Sequence, residues 1–566
     1  MLIEGGFTAI AVATAFVWPR CGSRYFSLVE RVLGSLARRR GLAVLVVGLA
    51  ALLLRLALLP FNPIPHPFIQ DDFSFLLAAD TFSSGRLTNV TPAMWTHFES
   101  FHITMKPTYM SMYFPAHGLI LAAGKVLAGN PWYGALCATA LMCAGICWML
   151  QAWLPPTWAL LGGFLAVVRL GLFSYWIDTY TGGGSIAALG GALVLGAFPR
   201  FMTAKRSWDA LLLALGIIIL ALSRPYEGIL LCLPVAVVMG HWMLVGKRRP
   251  SVAILLRRTA IPLLLIAAAG AWMGHYNKRV FGSPLTSPYR INRATYAVVP
   301  YWVWQPPQRD PVYRHKTMRD YYIDVELPHF TNLHTPTGFL SESLLKLGVA
   351  VGFFAGIVLL PALIMLRRVF LDTRTRFLVI SALVLAAGMA IEIFLLPHYL
   401  APFTSVFYAL GLQAMRHLRV WSPGERPVGL GMVRLIVALS LALAILRVWA
   451  GPLHIALSDW PTSAWYGSDD LGAPRARVQR ELEQSPEKQL AIVRYSPEHD
   501  SRREWVYNSA DIDGSKIIWA RDMGDADNRE LRDRYADRKI WLVQPDKTPV
   551  LVTPYTVAEG QGAALQ

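Results

Sequence analysis

The sequence predicts a polytopic α-helical membrane protein of about eleven transmembrane helices, with amphipathic helices on its outer surface and a small C-terminal extracytoplasmic α/β domain. Three observations carry this prediction. Of 566 residues, 54% are hydrophobic and only 16% charged, too little charge to cover a soluble protein of this size. Mean hydropathy is +0.41, and the apolar residues gather in runs of roughly 20, the length that crosses a bilayer. Past Gly451 those runs stop, and charges of both signs mix.

Residues 1–40 read as a cytoplasmic segment. Its apolar stretch, 7–18, is too short to span and has no basic region before it, so a weak signal-like segment, an interfacial helix and a misplaced start codon all stay open. The candidate spans follow at 41–60, 132–154, 157–177, 184–199, 208–223, 226–246 and 253–276, then at 343–366, 377–396, 399–414 and 431–450. Basic residues orient them. Arg38, Arg39 and Arg40 precede the first span. Arg200, Lys205 and Arg206 mark an inner loop, as do Lys247, Arg248, Arg249, Arg257 and Arg258. Arg367, Arg368, Arg374 and Arg376 mark another, and Arg416, Arg419 and Arg426 the last. The formal net charge of +17 therefore reflects membrane orientation, and no nucleic-acid partner is expected.

This parity requires 114–129 to begin and end outside, as a helix on the outer surface. The chain is then expected to have its N-terminus inside and its C-terminus outside. Cysteines placed at Ser84 and Asp324 should both react with an impermeant thiol reagent from outside; no labelling at Asp324 overturns this topology. Of the five native cysteines, Cys137, Cys143, Cys147 and Cys232 lie in apolar runs, which excludes a disulfide framework in the outer parts. Cys143 and Cys147 share a helix face and read as small packing residues.

The catalytic region is expected to be 41–450, with long outer loops at 61–131 and 277–342. The tail, 451–566, reads as a separate domain. Strands are expected at 490–495, 516–520 and 539–543, and a helix over 528–535. It carries no catalytic motif and reads as a packing or acceptor-docking lid.

Directly after the first span comes Pro63-Ile-Pro-His-Pro-Phe-Ile-Gln-Asp71-Asp72-Phe. Two carboxylates at a membrane exit are costly unless solvated or paired, which makes them functional candidates. One of them is also placed to cap a helix over 73–83. Ala78-Ala79-Asp80 and Gly85-Arg86-Leu87 follow. Tyr113-Phe114-Pro115-Ala116-His117-Gly118, Ser223-Arg224-Pro225-Tyr226-Glu227-Gly228, Phe281-Gly282-Ser283-Pro284-Leu285 and His398-Tyr399-Leu400-Ala401-Pro402 come later. In order and spacing over about residues 41–420, these motifs resemble the GT-C superfamily of membrane glycosyltransferases. The likeness is to the branch holding protein O-mannosyltransferases, lipid A aminoarabinose transferases and rhizobial galacturonosyltransferases. The single Pro115 stands where that branch often carries Pro-Pro.

The resemblance implies transfer of a sugar, with inversion, from a polyprenyl-phosphate donor to an extracytoplasmic lipid, glycan or protein. It places the enzyme in a cell membrane, a bacterial inner membrane, with its active site on the outer face. Such transfer needs a carboxylate base, supplied by Asp71 or Asp72, whose pKa partial burial would raise. Asp178, beside the Gly182-Gly183-Gly184 run, is the second acidic candidate. The leaving phosphate needs cations, for which Lys106, Arg224, Arg290, Arg293 and His398 are the candidates, with His117, Glu227 and Tyr399 nearby in the motifs. Arg224 reads equally as an interfacial anchor paired with Glu227, and the aromatic surroundings of Arg290 and Arg293 equally as an interface belt. His97, Glu99 and His102 match no strong metal motif, so no metal ligand is assigned, although a two-Asp loop could recruit Mg²⁺. Two other functions compete. A transporter would use charges within the spans, of which Arg55, Arg169 and Glu392 stand out. A ligase or polymerase of undecaprenyl-linked glycans would share the donor lipid.

Overall fold

The computed structural model describes every residue except 1, 205, 246–250, 310, 459, 462, 464, 468 and 557–566. Lys205, Lys247, Arg248 and Arg249, used above to orient spans, lie outside the described residues.

The protein is a polytopic helical membrane protein with a small C-terminal sheet domain. Among the described residues, seven helices are long and apolar enough to cross a membrane: Arg40–Ala57, Trp132–Trp153, Gly184–Ala204, Pro225–Leu244, Val252–Phe281, Pro336–Phe354 and Val428–Val448. A pair bent by 109°, Ile357–Leu371 with Arg376–Ile391, qualifies together as an eighth. Each of the eleven expected spans contains a helix, but Pro156–Gly171, Ser207–Ser223 and Thr404–Arg419 are shorter than a span needs. Proline explains the last of these. Pro397 and Pro402 each lack an N–H and disfavour helix in the residue before them, and the chain stays irregular after Glu392, becoming α-helical only at Thr404.

Trp132–Trp153 and Gly184–Ala204 form the centre of the bundle, with 72% and 67% of their apolar windows buried by protein. Val252–Phe281 is only 6% buried, so lipid must cover it. Close approach of the central helices rests on glycine: a Cβ on Gly191 would lie 1.8 Å from the carbonyl oxygen of Pro402. Cys143 and Cys147 are buried and unbridged, as packing residues. The 114–129 stretch forms Pro115–Ala128, too short to span, packed against Gln70–Ser83 and Trp132–Trp153.

Residues 1–40 do not stand apart as the sequence suggests. Leu2–Val17 is a helix packed along Val428–Val448, and Glu4 lies 3.6 Å from Arg169. A buried carboxylate and guanidinium thus compensate each other, which lets this helix join the apolar bundle.

In the first outer loop, β1 (Ile103–Thr104) pairs antiparallel with β2 (Met110–Ser111) beside the Gln70–Ser83 helix. In the tail, β3 (Gln489–Val493), β4 (Ile517–Arg521), β5 (Lys539–Gln544) and β6 (Leu551–Pro554) form one sheet in the order β4-β3-β5-β6. β3 runs parallel to both neighbours, and β6 closes the edge antiparallel. The three expected strands are present, β6 is added, and the expected helix is Asp525–Arg534. The tail packs against the 61–131 segment. Leu490, Ile492 and Ile518 share one apolar core with Leu77, Phe98 and Ile103 of the outer loop. Glu504 pairs with Arg521 at 2.6 Å and accepts from Ser100 at 3.0 Å, so the junction is polar as well as apolar. Phe73 stacks on Tyr507 at 4.7 Å, which fixes the helix carrying Asp71 from behind.

Candidate functional site

A cavity of about 880 Å³ lies between segments 61–131 and 277–342 and the ends of the adjoining apolar helices. It is lined by Asp71, Arg224, Glu227, Tyr289, Lys346 and Glu392, among others.

Asp71 and Asp72 both stand in the first turn of Gln70–Ser83, where the helix dipole favours carboxylates. Neither is the N-cap residue, because the helix starts three residues earlier than expected, after Ile69. One helical step turns them to different environments. Asp72 is buried in protein. It accepts from Thr181 Oγ1 at 2.6 Å, from Tyr180 N at 3.0 Å and, back across the helix start, from Phe68 N at 3.3 Å. Burial pushes its carboxyl up to about 6 despite these bonds. Asp71 faces the cavity. It is hydrogen-bonded to His102 Nδ1 and accepts from the Tyr113 hydroxyl at 2.5 Å. Burial raises its pKa, but His102, Tyr113 and the Arg224 charge outweigh burial and hold it below the usual carboxylate value. The expected upward shift of a catalytic base is therefore found at Asp72, which does not border the cavity, and not at Asp71.

His102 has φ +56°, a left-handed backbone uncommon outside glycine. Its carbonyl is held by Ser74 Oγ at 2.6 Å and Met112 N at 3.0 Å, so the surrounding bonds enforce that conformation. The sequence weighed His102 only as a metal ligand with His97 and Glu99. Instead Glu99 accepts from Tyr296 at 2.8 Å, apart from the Asp71–His102 pair. No group of three His, Cys, Asp or Glu among the described residues surrounds a common point, and Asp71 and Asp72 do not converge on one.

Arg224 is 6% exposed and lies at the break between Ser207–Ser223 and Pro225–Leu244. Its guanidinium sits 4.3 Å over the Tyr399 ring and 3.6 Å from Glu227, beyond hydrogen-bond reach. Among the described residues no acceptor lies within bonding distance of this buried fork of donors, which suits it to an anion. Arg290 borders the same cavity, and no hydrogen bond or ion pair holds its side chain among the described residues. Arg293 also borders it, but Glu326 binds its two NH₂ groups at 2.9 and 2.8 Å, so its charge is already taken.

Other candidates lie elsewhere. Asp178 pairs with the fully buried Arg55 at 3.0 Å and accepts from Asn62 at 3.0 Å, a brace across the end of the first span. Lys106 lies 4.2 Å over the Trp95 ring and does not border the cavity. His117 is within 3.0 Å of the Tyr180 carbonyl oxygen. His398 borders the cavity but is bound to the Tyr175 hydroxyl at 2.7 Å. Burial, with Arg224 and His117 nearby, keeps it well below the usual histidine value, so it is neutral and supplies no cation at neutral pH. The glycine run packs closely against these rings. Gly182 and Gly183 have φ +78° and +60°, and a Cβ on them would meet His398 at 2.6 Å and His117 at 2.8 Å.

Sequence reasoning missed Lys346, although a lone lysine within the apolar Pro336–Phe354 helix was a legible signal. Lys346 and Leu395 belong both to this cavity and to an adjoining apolar pocket of about 210 Å³. Leu347, Ala350, Leu385, Met389 and Phe407 line that pocket.

No family model matches the chain, and no curated protein does. Solved structures resemble it. One is the oligosaccharyltransferase of Archaeoglobus fulgidus tethered to an acceptor peptide, at 12% identity and TM-score 0.45, covering 88% of this chain and 68% of that one. Another is ArnT of Cupriavidus metallidurans bound to undecaprenyl phosphate, at 13% identity and TM-score 0.44, covering 88% and 92%.

Proposed function

We propose that this protein transfers a sugar from a polyprenyl-phosphate donor to a hydroxyl of an extracytoplasmic acceptor, from a bacterial inner membrane and with inversion. The supporting observation is that Asp71 and the open guanidinium of Arg224 face one cavity. The acceptor oxygen attacks the anomeric carbon while the bond to the phosphate oxygen breaks. The acceptor proton passes to Asp71, and polyprenyl phosphate leaves with the electron pair. Arg224 and Arg290 offset the charge that grows on that phosphate. His102 and Tyr113 orient the carboxylate and keep it ionised. The adjoining apolar pocket offers a path for the first isoprene units, so phosphate and lipid chain are accommodated together.

The transporter alternative loses two of its three candidate charges. Arg55 is committed to Asp178, and Arg169 to Glu4 and to carbonyl oxygens of the Pro336–Phe354 helix. A ligase or polymerase of undecaprenyl-linked glycans would use the same donor chemistry.

The test is binding of undecaprenyl phosphate to purified protein in lipid nanodiscs. The parent should bind, and Arg224→Gln should bind about tenfold more weakly or worse, the scale of one charge-assisted contact. No binding by the parent overturns the lipid-phosphate reading. Equal binding by Arg224→Gln reduces Arg224 to an interfacial anchor. His398 should leave the pH profile of binding unchanged, because it stays neutral.

A further inference from the structure

Glu392 is 6% exposed, yet it borders the cavity and its Oε2 has no hydrogen-bond partner among the described residues. A buried carboxyl oxygen without a hydrogen-bond partner is costly. Its position is held firmly. Ile393 N donates to the Tyr301 carbonyl, and Val303 N to the Ile391 carbonyl, both at 3.1 Å. Lys346 does not relieve it, because its ammonium donates to main-chain carbonyls, those of Met389 at 2.9 Å and of Glu392 itself. Glu227, also buried and also on the cavity, lies 3.6 Å from Arg224 and accepts no side-chain hydrogen bond among the described residues. Two carboxyl groups thus border one cavity, and no side-chain hydrogen bond holds either among the described residues. Beside them, Trp302 meets Tyr226 at 4.5 Å and stacks on Trp304 at 5.6 Å, and Tyr226 and Trp302 present apolar ring surface to the cavity.

Resting on the reading above, we propose that Glu392, assisted by Glu227, is the recognition site for hydrogen-bond donor groups of the transferred sugar, and that this sugar carries no carboxylate. The anomeric oxygen belongs to the phosphate, so the ring must lie beside whatever holds the phosphate. Glu227 is the residue beside Arg224. Sugar hydroxyls, or an ammonium group, would supply the missing donors, while the ring rests on Trp302. A uronate would set a third carboxyl group against two buried ones and is selected against.

The experiment measures nanodisc binding of bare undecaprenyl phosphate and of the lipid bearing glucose, mannose or galactose, their 2-amino counterparts, or the matching uronates. In the parent, at least one neutral or amino sugar should bind about tenfold tighter than the bare lipid, and no uronate should. A preference for the amino form identifies an ammonium group; a preference for the neutral form identifies hydroxyls. In Glu392→Gln the gain from the sugar should shrink to about threefold or less, with bare-lipid affinity within about twofold of the parent. Glu227→Gln should shrink it in the same direction and serves if Glu392→Gln does not fold. Tightest binding of a uronate, no gain from any sugar, or an unchanged gain in both variants overturns the proposal. Failure of the parent to bind the bare lipid instead overturns the lipid-phosphate reading on which it rests.

Discussion

Asp71→Asn should lower turnover by about 10²–10⁴, the usual worth of a general base, while the protein still folds. Asparagine keeps the shape of the side chain and can still accept from Tyr113, but it cannot take the acceptor proton. Asp72→Asn should cost turnover about tenfold or less, because Asp72 serves Thr181, Tyr180 and Phe68 and does not border the cavity. The acid side of the pH profile separates the two independently of mutation. A base works only when ionised, so activity falls as pH drops through its pKa. Asp71 is held below the ordinary value of 3.8, so kcat/KM should stay level down to that region. An acid limb near pH 6 would instead point to Asp72, whose carboxyl is pushed up to about 6. Near-parent turnover in Asp71→Asn removes the base assignment outright.

The second large effect concerns stability. Asp178→Ala should destabilise the protein by about 3–5 kcal/mol, the cost of leaving one member of a buried ion pair alone. Arg55 is fully buried, and among the described residues its other acceptors are the carbonyls of Asn62 and Pro63, which carry no compensating charge. Chemical denaturation in micelles, followed by tryptophan fluorescence, measures the change. Adding Arg55→Met to Asp178→Ala should restore part of the loss, because the stranded charge is removed as well. A change within about 1 kcal/mol for Asp178→Ala would mean that water reaches this pair and that the brace is not a buried one.

These effects divide along the line between sequence and fold. Composition and the length of the apolar runs determined the membrane class, since roughly 20 apolar residues have few other uses. Loss of those runs after Gly451, with alternating strands, determined the tail domain. The acidic pair after the first span and Arg224 between two apolar runs were legible because charge at a membrane exit is expensive and seldom idle. Span length was less legible. Hydropathy averages over a window and does not register Pro397 and Pro402 breaking a helix, or Glu4 finding Arg169 and carrying an N-terminal helix into the bundle. Tertiary structure alone decided which aspartate faces the cavity. Asp71 and Asp72 are chemically equal and adjacent, and one helical step of about 100° sends one to His102 and Tyr113 and the other into Thr181. It also placed Asp178, Lys106 and His117 away from the cavity, and Lys346 and Glu392 on its wall. A charge acquires its role from the partner that reaches it, and those partners come from segments more than a hundred residues away for Asp178 and Asp72.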